Sequence, residues 1–206
     1  MNPEPTELCK LGYKYGTDKC PQIKHAYTPF YYELFNSRRQ SIKKVLEIGI
    51  GTTRGNYHQP EIVYELGIRP QLCQGASLYM WRDFFPKAEV YGADTNPEAM
   101  FEDERIQTYL CDERKEEDVV RLIETIGSDI DIVVDDASHR VADQVFLAKT
   151  LLPLLKKDVI YIIEDVGHSG YIRKALDEQG LYEYEIPAIR RMLKGEKILV
   201  IRNKPA

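Results

Sequence analysis

The stretch KKVLEIGIG, residues 43–51, is an apolar run that ends in two glycines. A short apolar run bounded by glycine predicts a strand buried on both faces, as in a parallel sheet covered by helices. Gly49 and Gly51 would let the backbone at the strand's exit come close to a ligand.

Working outward, strands and helices alternate. SLYMWRDFF (77–85) carries Leu78, Trp81 and Phe85 at helical spacing. AEVYGAD (88–94) and IQTYLCD (106–112) are strands ending in Asp94 and Asp112. The amphipathic EEDVVRLIETIG follows, then the strand IDIVVDD (130–136), the helix ADQVFLAKTLLPLLKK, the strand DVIYIIED (158–165) and the helix SGYIRKALDEQG. YEYEIPAI and EKILVIRN close the chain as strands. The link RRMLKG between them is too short for a helical crossover, so they should pair antiparallel. Upstream, residues 1–26 are polar and rich in turn formers. HAYTPFYYELF (25–35) then predicts a helix with Thr28 as N-cap, Pro29 in the first turn, and Tyr27, Phe30, Tyr31 and Leu34 on one face. The expected fold is α/β: a Rossmann-like, doubly wound, mostly parallel seven-stranded sheet with an antiparallel terminal strand, in one domain over 1–206.

Composition narrows the function. The chain has 206 residues, 43% hydrophobic and 30% charged, with a net charge of −5. That acidic balance disfavours a nucleic-acid partner and suits a small uncharged or cationic substrate. Cys9, Cys20, Cys73 and Cys111 form no CxxC pair, so reduced thiols are expected rather than a disulfide framework or zinc site. No secretory h-region or membrane-length apolar run is visible, and a soluble cytoplasmic protein with no membrane partner is expected. Homo-oligomerisation is left open.

In such a sheet, ligands bind outside the carboxyl ends of the parallel strands. Those ends carry Glu47, Gly49 and Gly51; Asp94; Asp112; Asp135, Asp136 and His139; and Glu164 and Asp165. One acidic strand exit is as often a solvated turn as a site, but five on one rim need another explanation. The glycine loop lacks the full G-x-G-x-x-G run, which counts against a nicotinamide dinucleotide. Asp94 is placed to accept from ribose hydroxyls and Asp112 from an adenine amino group.

The series Glu47-x-Gly49-x-Gly51, Asp94 and Asp112 resembles the class I S-adenosylmethionine-dependent methyltransferases. YGTDKCPQIKHAYTPFYYELF (15–35), QGASLYMWRDFFP (74–86) and VVDDASH with IIED are similar to a bacterial subgroup that includes the metal-dependent sugar O-methyltransferases of macrolide tailoring. The likeness covers most of 11–170. It implies S-adenosylmethionine as donor and a divalent ion, Mg²⁺, held by Asp136, Glu164 and Asp165, with His139 as general base. It assigns donor contacts to Glu47, Gly49, Gly51, Asp94 and Asp112. At the helix start, Gly75 and Ser77 would meet the methionine carboxylate, and Thr17 in the opening motif would contact the donor. His25 and Tyr27 either close over the donor or substrate or pack the N-terminal helix. Asp135 is either a donor or metal contact or a cap beside Asp136. Residues 1–40 would be an N-terminal cap segment. Residues 52–74, longer than the subgroup's usual spacing, would be an insertion or lid.

The chemistry is coherent. A sugar-type hydroxyl is a poor nucleophile until its proton is loosened; a divalent cation does this, and an adjacent histidine can take the proton. The acceptor expected is a small-molecule hydroxyl on a sugar or glycosylated natural product, selected by loops 52–74 and 166–172. The alternatives are a different small-molecule acceptor, phosphate-derived or not a sugar, a nicotinamide-dependent oxidoreductase, and a non-catalytic binding protein on the same scaffold. Lys19 reads equally as a partner for an anion or a solvated charge, His168 as a loop residue, and Trp81 as core.

Overall fold

The computed structural model describes residues 4–51, 74–188 and 197–205. Most of the 52–74 insertion and the RRMLKG link lie outside the described residues. Helices α1 (Glu7–Tyr15) and α2 (Tyr27–Phe35) precede β1 (Lys44–Ile48). Then come α3 (Ala76–Phe84), β2 (Glu89–Asp94), a two-residue β3 (Glu102–Asp103), β4 (Ile106–Leu110), α4 (Glu116–Ile126) and β5 (Ile132–Asp135). The chain ends with α5 (Val141–Leu151), β6 (Ile160–Ile163), α6 (Ser169–Leu176), β7 (Tyr182–Glu185) and β8 (Leu199–Asn203).

The sheet order is β3-β4-β2-β1-β5-β6-β8-β7. Strands β4, β2, β1, β5 and β6 run parallel, and β8 lies antiparallel to both β6 and β7. The expected alternation and terminal hairpin are both present. The eighth strand is the short β3, an antiparallel edge on β4 whose exposed Glu-Asp pair carries no strand signal.

Alternating side chains divide the core between the two faces. Leu46, Ile48 and Val133 pack under α4 and α5 with Leu122, Leu147 and Leu151. Val45, Val90 and Val134 pack on the other face beneath α1, α2 and α3, with Tyr31, Phe35, Trp81 and Phe84. Two local expectations change. Helix α2 starts at Tyr27 with no side-chain cap, because the Thr28 hydroxyl turns inward and donates to Cys9 Sγ at 3.2 Å. Helix α5 stops at Leu151 rather than continuing to residue 157, since Pro153 cannot supply the next helical N–H. Cys9, Cys20 and Cys111 are free and buried. Among the described residues, no helix is long and apolar enough to cross a membrane.

The chain leaves β1 for β2 on one side and later returns to β5 on the other, so the strand order reverses between β1 and β5. Such a switch point opens a crevice at the carboxyl ends. Gly49 is essential to its shape: at φ +89°, a Cβ there would meet the Asp136 carbonyl oxygen at 2.2 Å.

Candidate active site

A cavity of about 300 Å³ lies at this switch point, lined by Gly49, Asp94, Glu113, Ser138, Arg140 and their neighbours. Asp94 forms part of its wall and accepts from the N–H groups of Gly51 (2.9 Å) and Asn96 (2.8 Å). Gly51 takes φ +63°, which aims its amide at that carboxylate. Asp112 is turned onto the Arg114 guanidinium, while its neighbour Glu113, buried, lines the cavity. Glu113, Ser138, Arg140 and Asp143 carried no strand-end signal and were missed in sequence.

Behind this wall lies a buried polar layer. Glu47 accepts from Ser77 Oγ (2.7 Å) and Trp81 Nε1 (2.5 Å), tying β1 to the first turns of α3. Gly75 precedes that helix at φ +65°, where a Cβ would strike the Phe101 ring at 2.4 Å. Glu47, Ser77, Gly75 and Thr17 are not among the cavity-lining residues. The Thr17 hydroxyl accepts from the Lys19 amide at 3.4 Å. Asp135 is buried, where Tyr161 and the Ala137 amide donate to it at 3.4 Å. Burial, with the nearby charges of Asp136 and Glu113, pushes its carboxyl up to about 7.

The strand ends of β5 and β6 meet at the rim. Asp136, His139 and Asp165 each turn a ligand-type atom into one group, all within 4.8 Å of one another. His139 Nδ1 stands 3.9 Å from Asp136 Oδ1 and 3.9 Å from Asp165 Oδ2. Both His139 (φ 58°) and Asp165 (φ 50°) hold left-handed backbone, a strained state that commonly accompanies function. The Tyr27 hydroxyl donates to Asp165 Oδ1, and its ring stacks on His25 at 4.9 Å.

Glu164 faces inward from this group. Its carboxylate accepts from Tyr31 Oη (2.6 Å) and Lys19 Nζ (2.7 Å). Lys19 is the site's hub: 1% exposed, it also contacts Asp136 at 2.5 Å and Glu47 at 3.4 Å. Burial pulls its pKa down, but Asp136, Glu164 and Glu47 outweigh that and hold it well above the ordinary lysine value. Burial raises the carboxyls of Asp136, Glu164 and Glu47, with Lys19 opposing the rise in each. Two carboxylates and an imidazole at a partly exposed rim, with oxygens turned toward one point, fit a hard divalent cation.

No family model matches the chain. It is 31% identical over 162 residues to a tetracenomycin-pathway enzyme of Streptomyces olivaceus, 8-demethyl-8-(2-methoxy-alpha-L-rhamnosyl)-tetracenomycin-C 3'-O-methyltransferase, across 79% of this chain and 37% of that protein. It is 32% identical over 160 residues to mycinamicin VI 2''-O-methyltransferase of Micromonospora griseorubida, across 78% of this chain and 36% of that one. The chain thus spans little more than a third of the length of these curated relatives. Among solved structures it is similar to the MycE methyltransferase of the mycinamycin pathway in complex with Mg and SAH. That likeness has a TM-score of 0.67 at 24% identity, over 97% of this chain and 55% of that one. The fold is that of the class I methyltransferases.

Proposed function

We propose that this chain carries an S-adenosylmethionine-dependent, Mg²⁺-dependent O-methyltransferase activity toward a hydroxyl of a glycosylated natural product. The observation that carries the reading is the convergence of Asp136, His139 and Asp165, from two adjacent strand ends, beside the cavity walled by Asp94. The acceptor class is supported by the named sugar O-methyltransferases of rhamnosyl and macrolide substrates to which the chain is similar.

Asp136 and Asp165 would hold the divalent ion, with His139 at its edge. Glu164, expected from the resemblance to be a third ligand, has both oxygens engaged by Lys19 and Tyr31 in the geometry described. When bound, a divalent cation loosens the proton of a coordinated hydroxyl. His139, with a side chain 45% exposed, is reachable from solvent and can receive that proton on its imidazole. The acceptor oxygen then bonds to the donor's methyl carbon as the carbon–sulfur bond breaks, and the sulfonium becomes a neutral thioether. The walls contribute orientation: Asp94 toward the ribose hydroxyls of the donor, and the Gly49–Asp136 contact by fixing the distance between the donor and acceptor halves. Thr17, Glu47, Gly75 and Ser77 shape the donor side from behind, and Tyr27 positions Asp165.

Two measurements test this. Titration calorimetry should give binding of S-adenosylmethionine and none of NAD; the opposite pattern ends the methyltransferase reading. Methyl transfer to a rhamnosylated or macrolide acceptor should stop on addition of EDTA and return with Mg²⁺. Full activity in EDTA would remove the metal from the mechanism while leaving the donor assignment intact.

A further inference from the structure

Lys19 lies between α1 and α2, yet its ammonium meets carboxylates from three strands: Glu47 of β1, Asp136 after β5 and Glu164 after β6. Each carboxylate is thereby divided. Glu164 Oε2 is on Lys19 and Oε1 on Tyr31; Glu47 Oε2 is on Trp81 while Oε1 faces Ser77 and Lys19. Asp136 alone of these has an outward oxygen: Oδ2 is on Lys19, and Oδ1 faces His139. Asp136 is one of the group it forms with His139 and Asp165, and its Oδ1 stands 3.9 Å from His139 Nδ1.

We propose that Lys19 is a positioning residue for the metal centre, a resident cation that holds the inner oxygens of Asp136 and Glu164 and so presents a single Asp136 oxygen to the divalent ion. The inference rests on the metal-dependent reading above. The ammonium keeps the buried carboxylates in place without the ion, because unpaired charges there would be costly. It also shares Asp136 with the ion, and two cations on one carboxylate repel. Lys19 therefore restrains metal affinity while setting the geometry of the centre. A purely structural ion pair would do the reverse: its loss would loosen the site and weaken metal binding.

The sign of the change in Mg²⁺ affinity decides between these. Lys19→Met should melt about 10 °C lower than the parent without Mg²⁺, from the loss of a buried pair. It should nonetheless bind Mg²⁺ at least about tenfold more tightly by calorimetry, with the larger Mg²⁺-induced rise in Tm. Lys19→Arg, which keeps the charge, should return affinity toward the parent value. If Lys19→Met fails to fold, Lys19→Met combined with Glu47→Gln removes one charge of each sign and should show the same tightening. Unchanged or weaker Mg²⁺ binding in the folded variant, with Mg²⁺ still binding the parent chain, overturns the role of Lys19 alone. Mg²⁺ binding to neither protein overturns both this inference and the metal-dependent reading.

Discussion

Strand β5 has a carboxylate at each end, and the two ends treat it differently. At the amino end, Asp131 accepts from Lys156 Nζ (2.6 Å) and from the amides of Lys43 (2.5 Å) and Lys44 (3.0 Å). Partial burial would raise its carboxyl, but those donors outweigh it and hold it below the ordinary value. Nearby Asp129 pairs with Lys44 and is likewise lowered. At the carboxyl end, Asp135 and, just past β6, Glu164 are buried, Asp136 is partly buried, and all three carboxyls are raised; one ammonium serves Asp136, Glu164 and Glu47. His139 and Asp165 beside them hold left-handed backbone. Carboxylates with their own donors fasten β1 to β5. Carboxylates that share one are poised to receive charge from outside.

The contrast can be broken from either end, and the largest effects belong to the rim. Asp136→Asn should lower metal-dependent methyl transfer by at least about 10³-fold, the scale of losing several kcal/mol of charge stabilisation. Donor affinity measured by calorimetry should stay close to that of the parent; a parallel loss of both would make Asp136 a folding residue. His139→Ala should cost about 10²–10⁴-fold in kcat, with partial recovery as pH rises and the acceptor loses its proton unaided. A pH-independent deficit would argue against a base at this position.

The amino end should respond in stability. Asp131→Asn should cost about 1–3 kcal/mol at pH 7 by weakening charge-assisted bonds to Lys156 and two amides. Because the folded-state carboxyl of Asp131 is lowered, its contribution is fully present above the unfolded pKa and is lost as pH falls through the folded one. Denaturant midpoints of parent and variant should therefore begin to approach each other as pH falls below about 4. A gap that does not narrow at all as pH is lowered from 7 would assign the loss to packing instead. Asp129→Asn, breaking a pair whose carboxylate is largely exposed, should cost under about 1 kcal/mol and less still in high salt.

Much of this was legible in sequence because it depends on local periodicity. Apolar strands alternating with amphipathic helices specify a doubly wound sheet, and acids following apolar runs must emerge at its carboxyl rim. That logic reaches Asp94, Asp136, His139 and Asp165 without coordinates. It does not reach Glu113 or Arg140, which line the cavity from loops and helix starts where no pattern marks them, and it gives Ser138, inside VVDDASH, no role. Nor does it detect β3, formed only because β4 offers an open edge to Glu102–Asp103.

The sequence by itself determined the sheet, its rim of acids and the pairing of the β5 and β6 exits. Only the tertiary structure decided how those acids are shared. Lys19 meets partners 117 and 145 residues away, and the inward turn of Glu164 follows from Lys19 and Tyr31 together. Strand periodicity says which end of the sheet a side chain leaves from. Which counter-charge it meets depends on the packing of α1, α2 and the loop between them over that end, and burial makes that choice count.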